Sequence, residues 1–436
     1  MNLAFESLPG RCDVLVVGAG PAGSAAAQWL ARAGRDVLLV DQHAFPRDKV
    51  CGDGLIADAL RALDRLGVKD EVLAEARPSP TLGCIGPRGG RIDVPGSLAV
   101  LPRKRLDEIV CRAAVSAGAR MFAPAKFVAP LREDGRVVGA ELEHAGGVRE
   151  VEAQWLVLAT GAQPQATLAA GMCERRAPSG IALRGYIRNA AMAARITSLE
   201  VVWHKRLAPG YGWVFPCGDD VFNIGVGVAH DGSARGARPG RAPELNLREA
   251  FAAFQSLYEP AGELVRGGEW LGPAGQALKG APLRCSLKGA TLEAPGILVC
   301  GEAAGSTYAL TGEGIGKAME TALHAAEAIV AGGAGGAGGA GRPRGPSVAG
   351  VTAGADVDAA VRADYRARIA ALGPRFALYA QAHRAVAHPW LVDLLVWSAQ
   401  RSPRRLQRLA GVLEETYLPR DAMSLRGILR RVFDRR

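Results

Sequence analysis

A glycine-rich turn near the amino terminus has the spacing of a dinucleotide-binding site. It comprises Gly18, Gly20, Pro21, Ala22 and Gly23. The turn follows a short apolar run, 13–17, and precedes an alanine-rich stretch with high helix propensity. Glycines at this spacing allow a tight turn, close approach of the backbone to a pyrophosphate, and close packing of helix on strand. A helix that begins near Pro21 would direct its free N–H groups and its positive dipole end at the phosphates.

A carboxylate follows the second strand of this predicted β-α-β unit. Asp41, with Gln42 beside it, comes directly after the apolar run 37–40. There it can accept hydrogen bonds from both hydroxyls of a ribose, and it would repel a 2′-phosphate. The segment therefore predicts binding of FAD or NAD.

Further features favour FAD over NAD. Cations follow Asp41 closely, and a second strand–loop–helix pattern begins at the apolar run 297–300, where it can reach the far half of a long cofactor. The residues predicted to bind FAD, besides the first turn, are Asp41, Gln42, Arg47, Lys49, Arg103, Thr160, Gly161, Gly301, Glu302, Gly312, Gly314 and Ile315.

The elements that must position these residues predict an α/β fold. Buried apolar runs that alternate with helical patterns indicate a Rossmann-like FAD-binding domain over 1–175 and 276–331. Short alternating runs over 176–275 indicate an inserted antiparallel sheet that binds substrate. Residues 332–355, rich in Gly and Ala, predict a flexible linker, and 356–436 a helical, basic C-terminal region.

Composition limits the classes of function. With 436 residues, 49% hydrophobic and 22% charged, the chain has ample material for a large core, and its net charge of +10 suits an anionic partner. No apolar run approaches the length of a membrane span, and no secretory signal is visible. The eight cysteines are scattered without a C-x-x-C pair, which predicts reduced thiols, a cytoplasmic location and no metal site.

Two segments resemble a known flavoprotein family. They are the run 47–55, which contains Cys51-Gly52-Asp53, and the run 210–216, which is followed by 223–227. With the late loop at Glu302, they resemble the geranylgeranyl reductase family, including its menaquinone-reductase-like members. The resemblance spans residues 12–330 and implies the p-hydroxybenzoate-hydroxylase-like FAD fold. Glu302 stands where Asp is usual in the family, and Ala309 where many members have Pro.

This resemblance implies reduction of a carbon–carbon double bond in an isoprenoid or quinone-linked substrate by FADH2. It implies that Cys51 and Gly52 lie beside the flavin and that an apolar tunnel is lined by Tyr211, Trp213 and Phe215. Independently of the resemblance, Asp53 is an alternative proton donor if burial raises its pKa. These three aromatic residues alternate with period two, so they share one face of a strand, which can equally belong to the core. Taken alone, Cys51 could be a small core residue, although a cation such as Lys49 would favour its thiolate. The electron donor is NAD(P)H or another external reductant.

The extreme C-terminus predicts an amphipathic basic helix. Its apolar face comprises Leu425, Ile428, Leu429, Val432 and Phe433, and arginines surround it. Such a helix could lie on an anionic inner-membrane surface or dock on the protein itself. Nucleic-acid binding is not predicted, since no DNA- or RNA-binding motif accompanies the charge.

Two other functions stay open at this point. A monooxygenase or dehydrogenase could act on an aromatic, polyketide or carrier-bound substrate, although Gly305 stands where many hydroxylases have His. The second open function is that of a non-catalytic flavin-binding or electron-carrier protein, since a fold does not by itself imply catalysis.

Overall fold

The computed structural model describes residues 2–173, 177–229, 246–273, 275–334 and 348–418. Its strands are β1 (Arg11–Val17), β2 (Val37–Val40), β3 (Gly54–Leu55), β4 (Arg77–Ile85), β5 (Arg91–Val100), β6 (Arg120–Phe122), β7 (Lys126–Glu133), β8 (Arg136–His144), β9 (Gly147–Leu158), β10 (Gly180–Arg188), β11 (Leu199–Val202), β12 (Gly210–Gly218), β13 (Val221–Ala229), β14 (Glu269–Leu271), β15 (Lys279–Leu283), β16 (Glu293–Ala294) and β17 (Ile297–Val299). Its helices are α1 (Pro21–Arg32), α2 (Ala57–Arg65), α3 (Lys69–Glu75), α4 (Arg103–Ser116), α5 (Gln165–Ala169), α6 (Leu247–Leu257), α7 (Glu259–Arg266), α8 (Ile315–Ala334), α9 (Val348–Val386), α10 (Pro389–Gln400) and α11 (Pro403–Leu413).

The first sheet has the parallel core that the apolar runs predict. Its strand order is β16-β17-β9-β1-β2-β6, and β8 joins β9 to β7. β1 pairs in parallel with both β2 and β9, and all four residues of β2 are buried, as expected where helices cover both faces of a sheet. The alanine-rich faces of α1 and α8 pack on each other in the same core, because small side chains let two helices approach closely. Because β9 pairs in parallel with both β1 and β17, the carboxyl ends of these three strands meet at one edge of the sheet.

The second sheet is larger than the predicted insertion. Its strand order is β14-β10-β13-β12-β11-β4-β5-β3, with β15 on β10. Residues 77–100, which the sequence assigns to the FAD-binding domain, form β4 and β5 here, and β11 pairs with β4 in parallel. The division at 175/176 is therefore wrong for this segment. β4 is hard to recognise because Pro78 and Pro80 interrupt its pattern.

Helices also extend into both ends of the predicted linker. α8 continues to Ala334 and α9 begins at Val348, so only 335–347 stay without a description. No helix in the described ranges is long and apolar enough to cross a bilayer. The amphipathic helix predicted over 425–436 lies outside the described residues.

A buried ionic cluster fixes the end of the described chain. Glu415, just after α11, pairs with Lys317 of α8 at 3.0 Å, with Arg61 at 2.6 Å and with Arg375 at 3.2 Å. Its carboxylate is nearly inaccessible to solvent, and these cations hold its pKa below the usual value despite burial. The C-terminal helices are thus tied to α8, the helix that follows the predicted flavin loop.

Candidate functional site

The first glycine turn has the crowding that its spacing predicts. A Cβ atom built on Gly18, where φ is +99°, would lie 2.5 Å from the carbonyl oxygen of Ala159, and one built on Gly23 would overlap the carbonyl oxygen of Gly18. Both positions therefore require glycine. Gly20 is the N-cap of α1 and Pro21 its first residue, so the free N–H groups of the helix open onto the turn.

Asp41 lies directly under this turn. Its Oδ2 accepts a hydrogen bond from the Ala19 backbone N–H at 2.9 Å, and its Oδ1 one from the N–H of His43 at 3.0 Å. The side chain is buried, whereas Gln42 beside it is exposed. Asp41 thus stabilises the turn itself, in addition to the ribose contact that the sequence predicts.

Two guanidinium groups lie beside the turn. A Cβ atom on Gly20 would lie 3.5 Å from Arg47 and 3.8 Å from Arg103. Asp107 holds both: Arg103 donates to its two oxygens at 2.6 and 2.9 Å, and Arg47 donates at 3.0 Å. Lys49 is the other predicted cation. Its backbone carbonyl accepts a hydrogen bond from the Arg184 guanidinium at 3.2 Å. Sequence reasoning missed Asp107, although its place four residues after Arg103 on one helix was a usable signal.

The late loop packs on the start of α1. A Cβ atom on Gly301, where φ is +66°, would lie 2.7 Å from the Cβ of Ala22. Next to it, Oε1 of Glu302 accepts from the Arg284 backbone N–H at 3.4 Å and from the Thr307 hydroxyl at 3.3 Å. The structure therefore brings together two stretches that lie 280 residues apart in the sequence.

The turn before α8 contacts the aromatic strand. The Tyr211 hydroxyl donates to the carbonyl of Thr311 at 2.5 Å, and a Cβ atom on Gly312 would lie 2.6 Å from that hydroxyl. A Cβ atom on Gly314 would meet the Thr307 hydroxyl at 2.6 Å, and Ile315 is buried at the start of α8. Small residues here let the turn approach both the late loop and the second sheet.

The three predicted aromatic residues do share a face of β12. Ring centroids lie 6.2 Å apart for Tyr211 and Trp213 and 6.4 Å apart for Trp213 and Phe215. A Cβ atom on Gly52 would lie 3.3 Å from the Phe215 ring and 3.6 Å from Trp213 Nε1. The segment around Gly52 therefore lies against this face.

A buried hydrogen-bond network fixes that segment. Asp53, at φ +65° and with no exposed surface, accepts from the Arg103 backbone N–H at 3.2 Å, from Asn223 Nδ2 at 2.8 Å and from the Tyr186 hydroxyl. Asn223 Nδ2 also donates to the Cys51 carbonyl at 2.8 Å, and its Oδ1 accepts from Trp213 Nε1 at 2.9 Å. Asn223 thus joins the segment 51–53 to the aromatic face.

Tyr186 and Asn223 are the residues of this network that sequence reasoning missed. They stand opposite each other in the β10–β13 pair, so both side chains reach one face of the sheet. The available signal was an asparagine inside the otherwise apolar run 221–229. A polar residue buried in such a run needs partners, and its amide can serve several.

Burial decides the protonation states in this segment. Desolvation raises the pKa of Asp53 to about 6, against the hydrogen bond from Tyr186 and the charge of Arg184. Desolvation also raises the pKa of Cys51, because it outweighs the opposing charge of Arg103. Arg103 and Lys49 do favour the thiolate, as the sequence predicts for a cation, but desolvation is the larger effect and favours the protonated thiol.

The residues around the first turn fit an FAD cofactor. The turn at Gly20 is bordered by helix N–H groups and two guanidiniums, which suits a diphosphate. Two hydroxyls nearby in the fold, those of Thr160 and Ser306, are buried without a hydrogen-bond partner among the described residues. Thr160 and Gly161 follow β9, and Ser306 follows the late loop. Buried hydroxyls rarely stay unpaired, so polar groups of a ligand fit here.

Comparisons with known proteins support an FAD cofactor and identify the family. The model of the FAD binding domain family matches residues 11–209. The chain is 36% identical over 336 residues to a menaquinone reductase of Mycolicibacterium smegmatis, covering 74% of this chain and 77% of that protein. It is 31% identical over 322 residues to a digeranylgeranylglycerophospholipid reductase of Methanopyrus kandleri, covering 70% and 77%. The chain belongs to the geranylgeranyl reductase family.

Membership of the geranylgeranyl reductase family makes this protein an FAD-dependent oxidoreductase. A solved structure supports the fold: a geranylgeranyl bacteriochlorophyll reductase-like protein of Thermoplasma acidophilum superposes with a TM-score of 0.72. The superposition covers 97% of this chain and 96% of the other at 20% identity. The Rossmann-like fold with a second sheet, predicted from the sequence, is confirmed.

Proposed function

We propose that this protein reduces a carbon–carbon double bond in the isoprenoid part of a quinone-linked or lipid-linked substrate. The observation that carries the proposal is the contact of the segment 51–53 with the aromatic face of β12, beside the turn that opens α8. The menaquinone and digeranylgeranylglycerophospholipid reductases to which the chain is similar support the substrate class.

The residues that would hold FAD follow the two converging loops. The turn at 18–23, with Arg47 and Arg103, would bind the diphosphate, and Asp41 the ribose. Glu302 and the turn at 312–315 would hold the flavin half. Bound FAD, once reduced by an external donor, supplies the hydride for the double bond.

Cys51 is the residue we assign as proton donor. It is partly exposed, and burial keeps its thiol protonated at neutral pH. As the hydride adds to one carbon of the double bond, the thiol proton goes to the other and leaves a thiolate. The Arg103 guanidinium, whose charge favours ionisation of Cys51, stabilises that thiolate until solvent returns the proton.

Asp53 acts as a positioning residue and not as the donor. Its carboxylate is enclosed by three hydrogen-bond donors and has no exposed surface, so it cannot reach a substrate. Those bonds hold the left-handed backbone at Asp53 and thereby the orientation of Cys51 and Gly52. Tyr211, Trp213 and Phe215 supply an apolar wall, where isoprene units pack without loss of hydrogen bonds.

Anaerobic assays test the proposal. The protein, reduced with dithionite, is mixed with menaquinone carrying an unsaturated side chain, and the lipid extract is analysed by mass spectrometry. We expect one pair of hydrogens to add to the side chain. Oxygen uptake coupled to conversion of an aromatic substrate, without any hydrogenated isoprenoid or polyene, would instead support a monooxygenase and contradict the proposal.

A further inference from the structure

One face of α10 is apolar and open to solvent. Trp390 is 58% exposed and Trp397 45% exposed. Leu394, partly exposed, lies between them, and the spacing i, i+4, i+7 places all three on the same side of the helix. Tryptophan is largely buried on average, so two exposed indoles on one helix face mark an interaction site.

Cationic side chains border this face. The guanidinium of Arg401 lies 4.5 Å from the centre of the Trp397 ring, and Arg404 and Arg408 are exposed on α11. The one acidic residue between positions 389 and 413 is Asp393, which accepts a hydrogen bond from the Arg88 backbone N–H at 2.9 Å. The face is therefore positively charged. We call these six residues the α10 surface: Trp390, Leu394, Trp397, Arg401, Arg404 and Arg408.

The opposite side of α10 faces the site described above. Val392 and Val396 are buried in an apolar cluster against which Trp203 and Phe215 pack. The ring of Trp203 lies 6.0 Å from that of Tyr211. One continuous apolar cluster thus extends from the inner side of α10 to the apolar wall that we assign to the substrate.

We propose that the α10 surface docks the protein on an anionic lipid bilayer. Indole rings favour the boundary between headgroups and acyl chains, and arginines beside them attract anionic headgroups. Negative headgroups complement the charge of this surface, and the apolar cluster behind α10 continues toward the substrate wall. The inference rests on the proposed function in one respect: docking here would let an isoprenoid chain enter from the bilayer.

Co-sedimentation of the full-length protein with vesicles tests the docking. One set of vesicles contains phosphatidylcholine alone, and the other also contains phosphatidylglycerol. We expect binding to the anionic vesicles and at least about tenfold weaker binding to the neutral ones. Arg404→Gln/Arg408→Gln should weaken binding to the anionic vesicles about 30-fold, and Trp390→Ala/Trp397→Ala about tenfold or more.

Matched controls lie on the distant hairpins of the first sheet. Val148→Ala removes an equally exposed apolar side chain, and Lys126→Gln/Arg149→Gln removes the same charge as the arginine variant. Both should bind vesicles like the wild type. Equal binding to both vesicle types, or undiminished binding of the tryptophan variant, would overturn the proposal. So would a tryptophan variant that only changes the oligomeric state, because the face would then join copies of the chain.

Activity separates failure of the docking from failure of the proposed function. The tryptophan variant should reduce a detergent-dispersed substrate at the wild-type rate and lose turnover only when the substrate is embedded in anionic vesicles. Equal loss in both assays would contradict a docking role. If wild-type protein binds vesicles but reduces no isoprenoid substrate in either form, the proposed function fails while the docking stands.

Discussion

Gly301→Ala tests whether the two loops converge on FAD. Two costs follow from the structure. A left-handed residue with a Cβ atom costs roughly 1–2 kcal/mol relative to glycine. The new methyl group would also lie 2.7 Å from the Cβ of Ala22, well inside the normal carbon–carbon contact of about 3.5–4.0 Å. Moving the loop away to relieve this overlap costs about 1–3 kcal/mol.

Gly34→Ala is the matched control. Gly34 also has a left-handed backbone, at φ +78°, but no atom lies within 4 Å of the position its Cβ would take. The Gly34→Ala variant therefore carries the same conformational cost, but its methyl group does not push the two loops apart. Titration of apoprotein with FAD, followed by flavin fluorescence, should give a Kd about 10- to 100-fold higher for Gly301→Ala and nearly unchanged for Gly34→Ala, since about 1.4 kcal/mol corresponds to tenfold.

A second substitution isolates the contact itself. Ala22→Gly removes the methyl group that the new side chain would meet, so the double variant should recover most of the lost affinity. If the Kd of Gly301→Ala for FAD lies within about twofold of the Kd of Gly34→Ala, the late loop does not hold the cofactor together with the first turn. The assignment of Glu302 and of the turn at 312–315 would then fail with it.

Four further outcomes are expected. Cys51→Ala should bind FAD normally and reduce substrate about 100-fold more slowly in single-turnover absorbance measurements, whereas lost FAD affinity would show a structural role. The raised pKa of Asp53, about 6 against 3.8, means that the folded state binds the proton more tightly, so wild-type stability falls as pH rises through this window. In urea titrations, the difference in unfolding free energy between the wild type and Asp53→Asn should therefore move by about 2 kcal/mol in favour of the variant between pH 4 and 7, and a constant difference would contradict the shift. Asn223→Ala leaves several buried groups unpaired and should lower the unfolding free energy by about 3 kcal/mol, measured in the same way. Lys317→Met leaves the buried carboxylate of Glu415 without one of its cationic partners and should lower the unfolding free energy by about 3–5 kcal/mol. Its melting temperature should therefore fall more than that of Lys69→Met, which removes an ion pair on the surface.

Local signals predicted the first turn, because its requirements lie within a few residues. Gly18 and Gly23 are needed for contacts inside one strand–turn–helix unit, and Asp41 bonds back to the same turn. The late loop was found for the same reason, since an apolar run and a glycine-rich helix start are adjacent there. Such units can be recognised wherever the sequence itself brings the interacting groups together.

The network around Asp53 could not be predicted in this way. Tyr186 and Asn223 come from strands more than 130 residues downstream, and only the register of β10 on β13 puts them face to face. The protonation state of Cys51 could not be predicted for a related reason: its cationic neighbour Lys49 is visible in the sequence, whereas the burial that outweighs the cations is a property of the folded chain.

Asp107 shows how this fold prepares a binding site before its ligand arrives. Its side chain is fully buried and holds Arg47 and Arg103 at once, so neither guanidinium has to give up rotational freedom when a diphosphate binds. With Asp41 on the other side, the two positive charges are balanced by two negative ones. Long-range attraction for FAD is therefore small at this point, and affinity depends on the directed N–H donors of the turn and of the two arginines. The buried carboxylate of Asp107 thus sets the geometry of the two arginines that we propose bind the diphosphate.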